Sequence, residues 1–418
     1  MESIITLYKI GHGPSSSHTM GPANAAKYFK NVYHNADQFK VTLYGSLALT
    51  GRGHLTDKTI LETLAPIKTD IVWNVKDVNI KHPNTMDFEA WLSGKQLGKI
   101  RFYSIGGGAI QIEGEATSNT ANSLYKEKNG QEVLQACQKN KWKLIDYIKH
   151  YEGENFWHHL NHVWEVMQAA IKTGLAAEGE LPGKLKLKRK AKVFFETPQK
   201  ILSRKAIDKK IVLMMAYAFA VSETNASGGV VVTAPTCGSC GILPAILMFA
   251  KDTLNIKDVQ IIEALAIAGL IGNIVRTNGS IAGAEAGCQA EVGVACSMAA
   301  AAYGYLIDLT NQKIFVAASA ALEHHLGLTC DPVLGYVQAP CIERNALATI
   351  RALDAAQLVS LSPFKEIFNF DDIIETMLVT GRALNAGYRE TSVGGLASIY
   401  NKKKATKAFN KKFGIKVS

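Results

Sequence analysis

From residue 39 the chain alternates. Phe39-Lys-Val-Thr-Leu-Tyr-Gly45 sets an apolar side chain at every second position and then a glycine, which predicts a half-buried strand. Strand-like runs recur at Ile71 to Val78 and at Leu97 to Ser104, the latter leading into Gly106-Gly107-Gly108. Helical spacing appears around Asn24 to Phe29 and Lys58 to Leu64, so the N-terminal part reads as α/β. After about Gln131 the period changes. Amphipathic helices are predicted over Gln131 to Ile148 and Asn155 to Gly174, and the basic, Gly- and Pro-marked stretch Gly179 to Lys192 reads as a linker. From Ser203 onward nearly every segment has helical spacing, and several are apolar around most of their circumference, as buried helices are. The expected fold class is α+β: an α/β N-terminal domain over 1–150, a helical connection and linker over 151–195, and an all-helical catalytic domain over 196–418.

Size agrees with two domains, because 418 residues exceed the roughly 250–300 at which single cores stop growing. Three apolar stretches, Gly228 to Ala250, Ile261 to Ile274 and Val292 to Ile307, have the hydropathy of membrane spans. They are dense in small residues and interrupted by Pro235, Pro244 and Glu263, so buried helices of a core are expected and no membrane partner. The net charge of +10 collects in Lys184 to Lys192 and in the lysines from Lys402 to Lys416. Neither patch is interleaved with aromatics, so a solvated surface is expected rather than nucleic-acid binding. The first residues lack the charged and apolar run of an export signal, and the expectation is a reducing, cytoplasmic setting in which the seven cysteines serve metals or redox chemistry.

The candidate chemistry begins at Gly11-His-Gly-Pro-Ser-Ser-Ser-His-Thr-Met-Gly-Pro22. Hydroxyls and backbone N–H groups at a helix start suit a carboxylate; helix capping explains one or two of these hydroxyls but not the density around His18. His54 and His82 lie in polar, Gly-rich settings where an imidazole can move protons or simply bond a loop. His158, His159 and His162 sit on an ordinary amphipathic helix without a third ligand, which argues against zinc. Thr233-Ala-Pro-Thr-Cys-Gly-Ser-Cys-Gly241 precedes an apolar helix. Asn278-Gly-Ser-Ile-Ala-Gly-Ala-Glu285 is read as opening a helix that carries Cys288 and Cys296, while Cys330 and Cys341 stand beside Asp331, Arg344 and Asn345. Thiolates at helix starts suit metal binding, yet no spacing here is that of a zinc ribbon or a ferredoxin, so spacing does not name the metal.

In this order, Gly13-Pro-Ser-Ser-Ser-His-Thr19, Leu43-Tyr-Gly-Ser-Leu-Ala48, Thr233-Ala-Pro-Thr236, Gly283-Ala-Glu285, Gly287-Cys-Gln289, Gly327-Leu-Thr-Cys-Asp-Pro332, Pro340-Cys-Ile-Glu-Arg-Asn345 and Tyr388-Arg-Glu-Thr-Ser392 resemble the bacterial iron–sulfur L-serine dehydratases over nearly the whole chain. The resemblance implies a [4Fe–4S] cluster on Cys288, Cys330 and Cys341 with one iron open. It implies elimination of L-serine to pyruvate and ammonia without pyridoxal phosphate, and a homodimer. The segments Ser227 to Ala250 and Ile271 to Ala302 contain no lysine for a Schiff base, in keeping with that chemistry.

Within it, His18 is the expected proton-transfer residue and His54 its competitor. Ser15, Ser16, Ser17, Thr19, Thr233, Thr236 and Asn278 are expected to contact substrate, and Glu285, Arg344 and Asn345 to orient ligands. Cys237, Cys240 and His325 depart from the family pattern, which leaves open L-threonine, an L-cysteine desulfidase-type elimination or a non-catalytic sensor. The chain ends at Ser418 without the terminal cysteine of some members, so inhibition by the tail is not expected.

Overall fold

The computed structural model describes residues 1–76, 80–115, 123–361, 363 and 367–413, so Val78 and the tail at Ser418 lie outside the described residues. A short strand, β1 (Ile10–His12), comes first and stays apart from the main sheet. That sheet contains β2 (Gln38–Tyr44), β3 (Lys68–Asn74), β4 (Thr85–Leu92), β5 (Lys95–Gly106) and β6 (Ala109–Ile112) in the order β3-β2-β4-β5-β6. Only β2 and β3 run parallel, as their connection through helices requires; the other neighbours are antiparallel. Phe39, Val41 and Leu43 of β2 face the same way as Met86, Phe88 and Ala90 of β4 and join a core with Ala25, Ala26 and Phe29 of α1 (Gly21–Val32). The short α2 (Gly45–Thr50) and α3 (Thr56–Leu64) complete this layer with Leu47, Ile60 and Leu64. A one-residue slip of any of these strands would turn its whole apolar set outward, which fixes the register.

The larger core is helical. The predicted run over 131–148 divides into α4 (Gly130–Asn140) and α5 (Leu144–Tyr151), because Lys141 turns into the left-handed region with φ 56°. Next come α6 (Glu154–Ala176), the short α7 (Ala191–Phe195) and α8 (Gln199–Arg204), and α9 (Lys209–Ala226). The basic stretch expected as a linker is folded onto this body: the Lys190 and Ala191 N–H groups donate to Glu223 Oε1, and Lys190 Nζ bonds Glu343. The strand β7 (Val230–Val232) then interrupts the helices, followed by α10 (Ile242–Leu254), α11 (Asp258–Asn278), α12 (Gly283–Ala286), α13 (Val294–Leu306), α14 (Asn311–Glu323), α15 (Cys341–Leu361), α16 (Phe370–Ala383) and α17 (Gly395–Phe413). Two segments, Cys237–Leu254 and Asp258–Asn278, have the length and hydropathy of membrane spans, and 67% and 78% of them is buried inside the fold.

A clasp joins the two layers. β1 pairs antiparallel with β7 through Ile10↔Val232, Gly11↔Val231 and His12↔Val230. Beside it Thr233 Oγ1 accepts from Lys9 N–H and donates to Leu7 O, both at 2.9 Å. Ile4, Leu7 and Tyr8 therefore sit in the helical core, while the chain from α1 to β5 builds the smaller one.

The tightest helix contact is at Gly174, where a Cβ would stand 2.0 Å from Ala220 O across the α6–α9 crossing. Overpacking of this kind costs about 1–3 kcal/mol. Gly174→Ala is expected to lower the urea midpoint without changing the slope of the transition, measured by circular dichroism.

Candidate active site

After β1 the chain turns through Ser16–Met20 as one π-helical turn, a form that recurs at functional sites. Ser15 Oγ accepts from His18 N–H at 3.1 Å and fixes the start of the turn. Thr19 Oγ1 donates to His54 O at 2.7 Å, and Thr56 Oγ1 donates to His18 O at 2.5 Å. These bonds hold the two imidazoles with ring centroids 4.5 Å apart, both buried.

The partners of each nitrogen fix the tautomers. His54 Nδ1 lies 3.1 Å from Thr50 O, an acceptor, so that nitrogen carries the proton. Its Nε2 is left with a lone pair, 3.9 Å from Glu390 Oε1. His18 Nε2 lies 3.0 Å from Ser46 Oγ, whose own O–H is given to Glu390 O at 2.6 Å, so His18 donates there. His18 Nδ1 then accepts from Ser17 Oγ at 2.8 Å and stands 3.3 Å from Glu390 Oε1. The His18 ring is thus occupied on both sides, while the His54 Nε2 lone pair is free to take a proton.

Glu390 ties the histidines to the cysteines. Its N–H donates to Cys330 O at 2.7 Å, and Cys330 N–H donates to Tyr388 O at 2.8 Å. Glu390 holds a left-handed φ of 57°, an uncommon backbone for a non-glycine residue, and its Oε2 is buried with no hydrogen-bond partner. The Cys330 thiol hydrogen-bonds Cys288, which is also in reach of Arg344; Arg344 in turn donates to Thr329 O at 2.6 Å and to Asp331 at 3.1 Å. Cys341 opens α15 within electrostatic reach of Cys288 and Arg344. Glu291 adds a carboxylate 3.8 Å from Cys330 Sγ, also hydrogen-bonded by Thr236. Asn345 donates to Gly238 O and Cys341 O, both at 2.8 Å, and accepts from Gly241 N–H, locking the turn after Thr236 onto α15.

Other expected residues stand elsewhere. Thr233 belongs to the clasp. Asn278 is at the exposed end of α11, where its amide donates to Lys128 O and Ile274 O, away from the histidines. Cys288 and Cys296 do not share a helix: Gly287, at φ 76°, ends α12, a π-helical turn follows over Gln289–Gly293, and Cys296 lies inside α13 with its thiol on Ala348 O. Glu285 accepts from Ser280 and pairs with Arg382 near the surface. His82 accepts from Asn84 N–H in its loop, His159 faces Tyr8 O, and His325 faces Ala321 O. Cys237 and Cys240 are free thiols, Cys237 Sγ resting 3.8 Å from Met20 Sδ. Glu291 and Glu390 were not among the expected site residues. Glu390 lies in Tyr388-Arg-Glu-Thr-Ser392, which carries the resemblance without a role for the acid, and Glu291 stands two residues beyond Gly287-Cys-Gln289.

Burial governs the electrostatics. It lowers the pKa of His54 to about 4 and that of His18 as well, aided in His18 by the neighbouring ring. Burial also raises Glu390 and Glu291, Glu390 further through Glu291 and Cys288. In contrast Cys288 is lowered, first by the hydrogen bond from Cys330 and then, against burial, by Arg344. Near neutral pH both imidazoles are unprotonated, the form a general base requires.

Comparison with known proteins gives one answer over most of the chain. The family model of the serine dehydratase alpha chain matches residues 113–397, and that of the serine dehydratase beta chain matches residues 3–69 and 62–115. An L-serine dehydratase of Haemophilus influenzae is 39% identical, with 95% of this chain and 99% of that protein covered. L-serine dehydratase 2 of Escherichia coli is 38% identical over 95% and 98%, and an L-serine dehydratase of Helicobacter pylori is 36% identical over 94% and 98%.

The depressed histidines link stability to pH. Below pH 6.5 the unfolded chain takes up protons at His54 that the folded chain refuses until about pH 4. Their contribution therefore makes the fold less stable as pH falls across that window. His54→Gln is expected to reduce the loss between pH 7 and 4.5, measured by urea unfolding of both proteins at a series of pH values.

Proposed function

We infer the reaction from a plain premise: this chain belongs to the serine dehydratase family and is a carbon–nitrogen lyase that eliminates ammonia from serine. The finer reading proposed here is a [4Fe–4S]-dependent α,β-elimination that turns L-serine into pyruvate and ammonia, in the cytoplasm. The observation that carries it is the free Nε2 of His54, set beside a carboxyl whose backbone is bonded to Cys330.

Cys288, Cys330 and Cys341 would hold the cluster. Their donor chemistry fits it: three soft sulfur groups come from three segments, Cys288 and Cys330 buried and Cys341 partly so, with the Arg344 guanidinium to offset thiolate charge. Among the described residues no three His, Cys, Asp or Glu side chains converge as ligands of a single ion, and a cluster makes no such demand, because each thiolate binds its own iron. When bound, a cluster with one iron free of thiolate supplies a Lewis acid for the β-hydroxyl.

The remaining work falls to the protein. His54 Nε2 takes the α-proton, its Nδ1–H anchored on Thr50 O so that the ring cannot change tautomer. His18, held between Ser17 and Ser46, packs beside His54 and keeps that ring in place. Ser15 offers its hydroxyl to the substrate carboxylate, and the Thr236 turn and Glu291 face it from the cysteine side. Burial excludes bulk water until loss of the β-hydroxyl has given the enamine, which tautomerises and is hydrolysed to pyruvate and ammonia.

Anaerobically purified enzyme is expected to form pyruvate and ammonia in equal amounts from L-serine, faster than from L-threonine or L-cysteine. His54→Gln is expected to lower kcat by about 10²–10⁴ with iron content unchanged, and Cys330→Ala to lose iron and activity together. Full activity in either variant would sink the respective role.

A further inference from the structure

The histidines are buried, so the substrate needs a way in. A cleft of about 400 Å³ opens between the N-terminal segment, the glycine turn joining β5 to β6, and the connection from α11 to α12; Thr6, Lys9, Gly107, Arg276, Ser280 and Glu285 are among its lining. Most of its charges are already matched. Arg276 Nη2 is 3.3 Å from Glu2 and donates to Asn273, while Glu285 accepts from Ser280 at 2.8 Å and pairs with Arg382. Lys9 is the exception: its half-buried ammonium has no hydrogen-bond or ion partner among the described residues. Burial and then Arg276 lower its pKa, and the Glu2 carboxylate, not in direct contact, offsets only part of this.

The inner wall of this cleft is also the outer wall of the catalytic site. From Gly107, in the cleft lining, a Cβ would meet Ile281 Cδ1 at 3.4 Å and Pro235 O at 3.8 Å, so the cleft wall touches the start of the turn that holds Thr236. Two residues beyond Ile281, a Cβ on Gly283 would stand 3.2 Å from Cys330 Sγ.

We propose that this cleft is the entrance to the buried site and that Lys9 is the cation that draws the substrate's carboxylate into it. Lys9 also borders a second cleft, lined by Thr19, Met20, Thr59 and Glu62. The first is favoured over the second because Ser280 and Ile281 of its lining lead directly to Gly283, where a Cβ would stand 3.2 Å from Cys330 Sγ.

This inference rests on the reading of L-serine as substrate. The test is steady-state kinetics of the anaerobically purified holoenzyme at low and raised ionic strength. Lys9→Met is expected to lower kcat/KM for L-serine about tenfold with kcat and iron content unchanged, and to abolish the fall of kcat/KM with added salt. Lys9→Arg restores both. Ala109→Trp, which fills the first mouth, is expected to lower kcat/KM far more than Thr59→Trp, which fills the second. The proposal is overturned if Lys9→Met keeps the wild-type kcat/KM and salt dependence, or if Thr59→Trp blocks turnover and Ala109→Trp does not. A wild type that makes no pyruvate from L-serine strikes down the functional reading itself, whereas an active wild type with insensitive variants strikes down the entrance alone.

Discussion

The catalytic centre depends on the burial of one carboxyl group. Glu390 sits between His18 and His54 on one side and Cys330 on the other, within a main-chain conformation that costs free energy. Isolated from water, the carboxyl favours its proton and the imidazoles favour the neutral form. A fully ionised site would leave unpaired charges in a medium of low dielectric. Neutrality allows the histidines to remain buried, and it also leaves one of them basic.

The reading proposed here exchanges the roles expected of the two histidines from sequence. His18 lies in the denser motif, and that density drew attention to it. Ser17 and Ser46 occupy both its ring nitrogens, while Ser15 and Thr19 shape the turn. His54, in a plainer loop, keeps the free lone pair. Motif density marks where a site is built, while the partners of each nitrogen decide which residue acts.

Much of the fold was legible because it follows from local period. Strands β2 and β5 and helices α1, α3 and α6 fall where alternation or helical spacing puts them. β4 was missed although Met86, Phe88 and Ala90 alternate, because the charged Asp87 and Glu89 between them look like loop; Asp87 is in fact buried against Arg101 and Tyr44. β1 and β7 are three residues each, and their partners lie more than 200 positions apart, so no local window contains the reason for either. The same holds for Glu390. Its role arises from contacts with residues 17, 18, 46 and 54, which the sequence places at the opposite end of the chain.

The clasp of β1 on β7 has a kinetic meaning. The histidines come with the smaller core and the thiols with the larger, so the active centre exists only while the two are docked. In one continuous chain the docking is intramolecular, and the covalent connection supplies a high effective concentration of each half at the other. Two separate polypeptides carrying the same residues would have to find each other first. Their turnover would depend on protein concentration, with the three residue pairs of β1 on β7 and the Thr233 bonds as part of the affinity that must replace the tether.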